Sequence, residues 1–192
     1  GMVYRKNLGV AITRIREIAS DYEPNEETAQ QLWTLHGRET MLMAILLQPV
    51  NNFSWEMAQS WAEDCDNIET IEFACMHLFS KLPFVNELCC DWCASDKVQL
   101  QIMGFILSAR NYQNFSDVDR NLIIEKAFEN STTDNFHLYK AISLALCRFC
   151  RNGKSIADFI LEKMSNFLPQ PTAGQQYIME EVKSEMNFLE LL

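Results

Sequence analysis

Hydrophobic residues recur every three to four positions along nearly the whole chain, which is the spacing of one face of an α-helix. No segment shows the alternation of apolar and polar residues that is typical of a half-buried strand. Turn residues are scarce, because the 192 residues include only 6 glycines and 5 prolines. A β-sandwich or barrel needs many more turns, so the pattern predicts an all-α protein.

The apolar stripes and the residues that begin and end helices define the expected elements. N-caps are expected at Asn25, Ser54, Ser95, Ser116, Thr132 or Thr133, Ser155 and Thr172. The predicted helical ranges are 8–22, 25–35, 37–48, 54–64, 68–81, 84–94, 96–110, 117–130, 134–151, 156–168 and 173–191.

Short connections between these helices favour antiparallel helix pairs. Each pair has an apolar side that it cannot bury alone, and stacking on the next pair would cover that side. We therefore expect an all-α, HEAT/armadillo-like α-α solenoid (an alpha-alpha superhelix) of about five or six helix pairs, in a single domain over residues 1–192. The repeat period is irregular, so a globular helical bundle stays open as the alternative.

The apolar stripes also predict which large side chains are buried. Trp33, Trp61 and Trp92 lie on such stripes, whereas Trp55 follows a helix cap on a more polar face and suits a core or a binding surface equally. The residues expected between helices are Leu32, Trp33, Leu42, Ile45, Leu46, Ile71, Phe79, Leu100, Phe105, Leu146 and Phe149.

Charge is unevenly distributed along a chain whose formal net charge is −10. From Glu17 to Asp96 there are 15 acidic residues and two basic ones, which disfavours wide non-specific contact with nucleic acid or an anionic membrane. Lys140, Arg148 and Arg151 instead fall within about 80° of one another on a helix. That helix is expected to present a basic face, which is either simply solvated or a weak phosphate site.

The cysteines and the hydropathy pattern bear on cofactors and location. No stretch of about 18 apolar residues exists, so no transmembrane helix and no membrane partner are expected. Seven cysteines without an apolar signal core predict reduced thiols in a cytoplasmic protein. Cys89-Cys90-x-x-Cys93 and Cys147-x-x-Cys150 have zinc-like spacing, but they lie inside predicted helices without a knuckle glycine, which favours packed thiols. No metal or other cofactor is expected.

Several short motifs follow one another in the N-terminal third. They are Gly9-Val10, Ile15-Arg16-Glu17-Ile18-Ala19, Leu32-Trp33, Arg38-Glu39 and Met43-Ala44-Ile45-Leu46-Leu47, followed later by Ser54-Trp55 and Lys140-Ala141-Ile142. Their order and spacing resemble the HEAT-like-repeat DNA alkylation repair glycosylases (AlkD-like). The resemblance spans most of the chain and is densest over residues 8–47.

The resemblance implies a function as well as a fold. Members of that family excise cationic N3- or N7-alkylated purines from duplex DNA lying across the concave face of the solenoid. The resemblance implies that aromatic side chains meet the cationic lesion or sugar. It also implies that an aspartate stabilises the sugar cation as the glycosidic bond breaks and that an arginine holds a phosphate.

Of the four functional positions of the family, Trp55 carries the family's residue and the other three carry different residues. The family's Trp-x-x-x-Asp begins at Trp55 and places Gln59 at the carboxylate position, with Glu63 one turn farther along as a candidate substitute. The phosphate-binding arginine corresponds to Gln101, and a second tryptophan corresponds to Leu144. An amide stabilises a sugar cation less than a carboxylate does, so ordinary catalysis is not expected.

We therefore expect a divergent member of this family that binds duplex DNA weakly. The catalytic positions are Trp55, Gln59 and Glu63, and the DNA-contact positions are Gln101, Lys140, Leu144, Arg148 and Arg151. The alternative is a non-catalytic scaffold that binds a protein or peptide partner on the same solenoid, and the acidic first half of the chain favours it.

Overall fold

The computed structural model of this protein describes residues 4–167 and 169–192. Within these ranges the chain forms helices and turns and contains no β-strand, so the all-α prediction is confirmed. The helices are α1 (Ile12–Ser20), α2 (Glu26–Trp33), α3 (Arg38–Leu47), α4 (Trp55–Asp64), α5 (Ile68–His77), α6 (Val85–Cys93), α7 (Val98–Arg110), α8 (Asp117–Glu129), α9 (Phe136–Cys150), α10 (Lys154–Met164) and α11 (Ala173–Phe188). Short 3₁₀ turns cover Val50–Asn52, Phe79–Lys81 and Ser165–Phe167.

Four of the predicted N-caps are confirmed, because their side chains accept a backbone N–H of the first helical turn. They are Asn25, Ser54, Ser116 and Thr172. Three predicted caps are wrong: Lys97, Asn135 and Gly153 occupy the positions for which Ser95, Thr132 or Thr133, and Ser155 were expected. At the last of these, the backbone turns at Gly153 with φ +117°, a conformation that favours glycine, so α10 begins before Ser155.

The chain forms two compact units, Gly1–Val85 and Asn86–Leu192. In the N-terminal unit, α1, α3 and α5 pack side by side. Glu39 at the start of α3 accepts the backbone N–H of Val10, which precedes α1, at 3.1 Å. Arg38 binds Glu69 at the start of α5 at 2.6 Å. Because the helix starts meet, these three helices run in the same direction.

The other two helices of the N-terminal unit form a second parallel pair. Asn52, just before α4, donates to Glu26 at the start of α2 at 3.2 Å. Near the other end, the rings of Trp33 and Trp61 stack with centroids 3.9 Å apart. The backbone N–H of Asn25, just before α2, donates at 2.8 Å to the carbonyl of Leu47, the last residue of α3. Helices α2 and α3 are therefore antiparallel neighbours. The unit therefore alternates helix direction as stacked α-α pairs do.

In the C-terminal unit, α9 packs against both α7 and α11. The rings of Tyr139 and Tyr177 lie 5.3 Å apart near the starts of α9 and α11. Arg151 and Glu185 are 2.5 Å apart near their ends. Helices α9 and α11 therefore run in the same direction. A second pair, α8 and α10, is linked by Lys163 of α10, whose ammonium lies 2.5 Å from the carboxylate of Glu125 on α8.

The core matches the pattern of apolar positions. Nine of the predicted core residues are buried: Trp33, Leu42, Ile45, Ile71, Phe79, Leu100, Phe105, Leu146 and Phe149. Leu32 and Leu46 are only half-buried.

Helices α6 and α7 approach so closely that a Cβ on Gly104 would lie 2.7 Å from the backbone nitrogen of Cys93. No helix in the described ranges combines the length and apolar character needed to cross a membrane.

Candidate nucleic-acid interface

The motif residues Arg38 and Glu39 tie the N-terminal segment to the helices. The Arg38 guanidinium donates to both carboxylate oxygens of Glu69, at 2.7 and 2.6 Å, and to the carbonyl of Val10 at 2.8 Å. The carboxylate of Glu39 accepts the backbone N–H groups of Leu8 and Val10. These contacts give Arg38 and Glu39 a structural role in holding the start of the chain.

Tyr4 completes this group by donating its hydroxyl to Glu69. We call Tyr4, Arg38, Glu39 and Glu69 the N-terminal clasp. Burial, and then the hydrogen bond to Glu69, raises the pKa of Tyr4 to about 12. The hydrogen bond from Arg38 holds the pKa of Glu69 below its usual value although burial opposes this. The pKa of Glu39 is also lowered. Burial opposes this shift, but hydrogen bonds from the Leu8 and Val10 amides and from Arg38 outweigh it.

Trp55, Gln59 and Glu63 lie on α4, in the N-terminal unit. Ser54 caps this helix by accepting a backbone N–H at 3.3 Å, and Trp55 is its first residue. The Trp55 ring is half-buried, with its centroid 5.7 Å from that of Phe84. Spacings of four residues place Gln59, which is half-buried, and Glu63, which is exposed, along the same side of the helix.

The basic face of α9 contains more than charge. Lys140 is exposed, Leu144 is 41% exposed and Arg148 is half-exposed, and each follows the previous one by four residues. Phe136, four residues before Lys140, is 51% exposed, and the Lys140 ammonium lies 5.1 Å from its ring centroid. These four residues form a continuous strip about 18 Å long. We call Phe136, Lys140, Leu144 and Arg148 the α9 strip.

Four basic residues lie between Asp134 and Asp158, and two of them are paired within the chain. Glu185 binds Arg151, and its hydrogen bond raises the pKa of the Arg151 guanidinium. Lys154 lies 3.3 Å from Asp158 and donates to a backbone carbonyl. Among the described residues, no carboxylate forms an ion pair with Lys140 or Arg148. Of these four cations, the two that are available to an anion therefore belong to the α9 strip.

Gln101 has a different environment from the other predicted DNA contacts. Its side chain is buried, and its amide nitrogen donates to the carbonyl of Ser95 at 2.7 Å and to the side chain of Asn130 at 3.0 Å. Gln101 thus links α7 to the residue that follows α8. This placement favours a structural role over contact with a phosphate.

The cysteines have the environment of packed thiols. Cys89, Cys93 and Cys150 are buried, and all seven cysteines are free thiols. Burial is the main cause that raises the pKa of Cys90 and of Cys147 to about 11. Such thiols are protonated at neutral pH. Within the described part of the chain, no three His, Cys, Asp or Glu residues are grouped so as to hold a metal ion.

Sequence reasoning missed two residues that shape this surface. Phe136 is apolar and begins a helix, so nothing in its local pattern separated it from a core residue. Glu185 lies 34 positions after Arg151, and only tertiary packing brings the two together.

Comparison with known proteins identifies a family whose model matches this sequence. The model of a family described as DNA alkylation repair enzyme matches residues 3–166. A solved structure from a family related to the HEAT-like repeat DNA glycosylases, with affinity for branched DNA structures, superposes with a TM-score of 0.76. The two chains are 14% identical, and the match covers 94% of this chain and 83% of the other. None of the curated proteins matches this sequence.

The structural likeness shows the fold, and the predicted HEAT-like α-solenoid class is confirmed. The family match extends over most of the sequence, including the motifs in residues 8–47 and both α4 and α9. The protein belongs to the DNA alkylation repair enzyme family.

Proposed function

We propose that this protein binds duplex DNA through the α9 strip and that it excises alkylated bases slowly or not at all. The observation that carries the binding is the exposed strip itself, in which Lys140 and Arg148 flank Leu144. Membership of a DNA repair family and the affinity of a structurally similar protein for branched DNA support the same partner.

The strip suits contact with phosphates. Lys140 and Arg148 are eight residues apart, which is about 12 Å along the helix. Arg151 is paired with Glu185 and contributes less positive potential. Each neutralised phosphate contributes about 0.9 to the slope of log affinity against log salt concentration, so two contacts give a slope of about −2. Binding is therefore weak and sensitive to salt.

Removing both charges tests this interface. In the variant Lys140→Gln/Arg148→Gln, we expect weaker binding to a duplex and a slope shallower by about 2, because two phosphate contacts are lost. Fluorescence anisotropy with a labelled duplex at several salt concentrations measures both quantities.

A control for net charge is available in the same unit. Lys126 and Lys154 are ion-paired with Glu129 and Asp158, and replacing both with Gln changes the net charge by the same amount. We expect this control to bind as the wild type does. An equal loss in both double variants would show that overall charge, and not the α9 strip, governs binding.

The slow or absent excision of alkylated bases follows from the residues that α4 carries. A carboxylate in a site of low dielectric stabilises a developing sugar cation, whereas the neutral amide of Gln59 supplies only a dipole. Trp55 keeps the aromatic group that the family pattern places one turn away. Trp55 is thus retained, while the carboxylate that the family pattern places four residues later is replaced by an amide.

Restoring the carboxylate tests the catalytic part of the proposal. We expect wild type to release 7-methylguanine from alkylated duplex DNA near the background rate. Gln59→Asp is expected to raise release by roughly tenfold to hundredfold, a change worth about 1.4–2.7 kcal/mol. Chromatography of the released base measures the rate.

Gln59→Asn is the matched control, since it has the size of the Asp variant without the charge. It is expected to remain at background. Rapid release by wild type that persists in Trp55→Ala/Glu63→Ala would place the chemistry on other residues.

The second candidate function is a non-catalytic scaffold for a protein or peptide partner. The observation that favours it is the acidic excess between Glu17 and Asp96, with 15 acidic and two basic residues. A scaffold of this kind would show no duplex binding even at low salt, whereas the proposed DNA-binding protein is most easily detected there.

A further inference from the structure

Aromatic rings cluster where α9 begins. Asn135 caps the helix by accepting the backbone N–H of Leu138 at 3.0 Å, which fixes the position of Phe136 as the first helical residue. The Phe136 ring lies 5.6 Å from His137 and 5.4 Å from Tyr139, with interplanar angles of 74° and 80°. Tyr139 in turn contacts Tyr177 of α11. Phe136 is thus supported by neighbouring rings while 51% of its surface stays exposed.

The cations of the α9 strip begin one helical turn from this ring. Lys140 lies about 6 Å farther along the helix axis than Phe136. A phosphate bound at Lys140 would hold its nucleotide within reach of the Phe136 ring. An exposed aromatic side chain beside cations that follow a backbone is the combination by which proteins bind unpaired nucleotides.

A continuous duplex cannot use this combination fully. Its bases are stacked on one another, so their faces are not available to a side chain, and the duplex would gain only the phosphate contacts. A nucleotide that is already unpaired exposes its base without the cost of opening a pair.

We infer that Phe136 stacks on an unpaired base, so that the protein prefers DNA with unpaired nucleotides, such as a fork or a flap, over a continuous duplex. This inference rests on the proposed function, because the phosphate contacts of Lys140 and Arg148 bring the strand to the ring. Stacking of one base on an aromatic side chain supports a preference of about tenfold in dissociation constant.

The test compares two labelled DNAs with the same number of phosphates, a forked duplex with unpaired arms and a blunt duplex, by anisotropy at one low salt concentration. Wild type is expected to bind the fork about tenfold more tightly. Phe136→Leu is expected to bind both DNAs within about twofold of each other, while Phe136→Tyr keeps the preference.

Two further measurements separate stacking from general effects. Phe188 is an exposed phenylalanine on α11, 78% exposed, and Phe188→Leu is expected to leave the preference intact. The fluorescence of a 2-aminopurine in the unpaired arm is expected to change on binding to wild type and not to Phe136→Leu. Thermal melting by circular dichroism checks that the Leu variants remain folded.

The outcomes distinguish this inference from the function on which it rests. Binding of both DNAs with equal affinity by wild type would overturn the stacking inference and leave duplex binding by the α9 strip standing. Binding of neither DNA would overturn both. A preference for the fork that survives in Phe136→Leu would assign recognition of unpaired bases to another residue and overturn the inference.

Discussion

Replacing Trp33 with alanine is expected to lower the free energy of unfolding by about 3–5 kcal/mol, the usual cost of deleting a buried aromatic side chain. Only 3% of Trp33 is exposed. Its ring is stacked on Trp61 with an interplanar angle of 2°, and its indole N–H donates to Asp64 at 2.8 Å. The substitution therefore removes the contact between α2 and α4 and leaves a cavity between them.

Urea denaturation of the variant and of wild type measures this difference. Trp33→Phe keeps an aromatic ring but loses the N–H donor, so it is expected to cost less than the alanine variant. Trp55→Ala serves as the comparison, since that ring is half-buried against Phe84 and is expected to cost less than Trp33→Ala. A loss below about 1 kcal/mol for Trp33→Ala would mean that the ring is not part of the core.

The helices and much of the core follow from local sequence. The period of the apolar residues is a property of each segment by itself, and the same is true of a cap such as Asn25 or Thr172, which bonds only three residues ahead. The errors of prediction lie at helix ends, where several neighbouring polar residues could each act as the N-cap. At α9, Thr132 and Thr133 were as suitable as Asn135 in sequence, and the backbone path decided for Asn135.

The candidate site was predictable only where it depends on one helix. The common face of Lys140, Leu144 and Arg148 follows from spacing alone. The neutralisation of Arg151 by Glu185 and the burial of Gln101 against Asn130 depend on residues 34 and 29 positions away. Contacts of that kind require the packing of separate helices, which the pattern of a single segment does not contain.

The N-terminal clasp is the other feature that the sequence did not reveal. The pair Arg38-Glu39 contributed to the family resemblance, yet its function in the structure depends on Glu69, 31 positions later. The side chains of Arg38 and Glu69 are only 11% and 16% exposed, and both oxygens of the carboxylate are bonded. A buried, bidentate pair of this kind is costly to break from one side, because the remaining charge stays buried.

Glu69→Gln is therefore expected to lower the free energy of unfolding by about 3 kcal/mol, near the lower end for a buried pair because Glu39 still faces Arg38 at 3.2 Å. The pKa of Glu69 is lowered in the folded protein, first by the hydrogen bond from Arg38. Its contribution is thus complete above the ordinary carboxyl pKa near 4.5 and is lost as the pH falls through the lower folded value. Urea denaturation at pH 7 and at several pH values below 4.5 measures both effects.

A double-mutant cycle distinguishes the ion pair from general disruption of the fold. Arg38→Met alone and Glu69→Gln alone each strand a buried partner, whereas Arg38→Met/Glu69→Gln removes both charges. We expect the double variant to lose clearly less stability than the sum of the single variants. Its stability should also fall less between pH 7 and acid pH, although Glu39, whose pKa is also lowered, keeps part of that dependence. Additive losses, with the acid dependence of wild type unchanged in Glu69→Gln, would show that the Arg38–Glu69 pair does not hold the N-terminal segment in place.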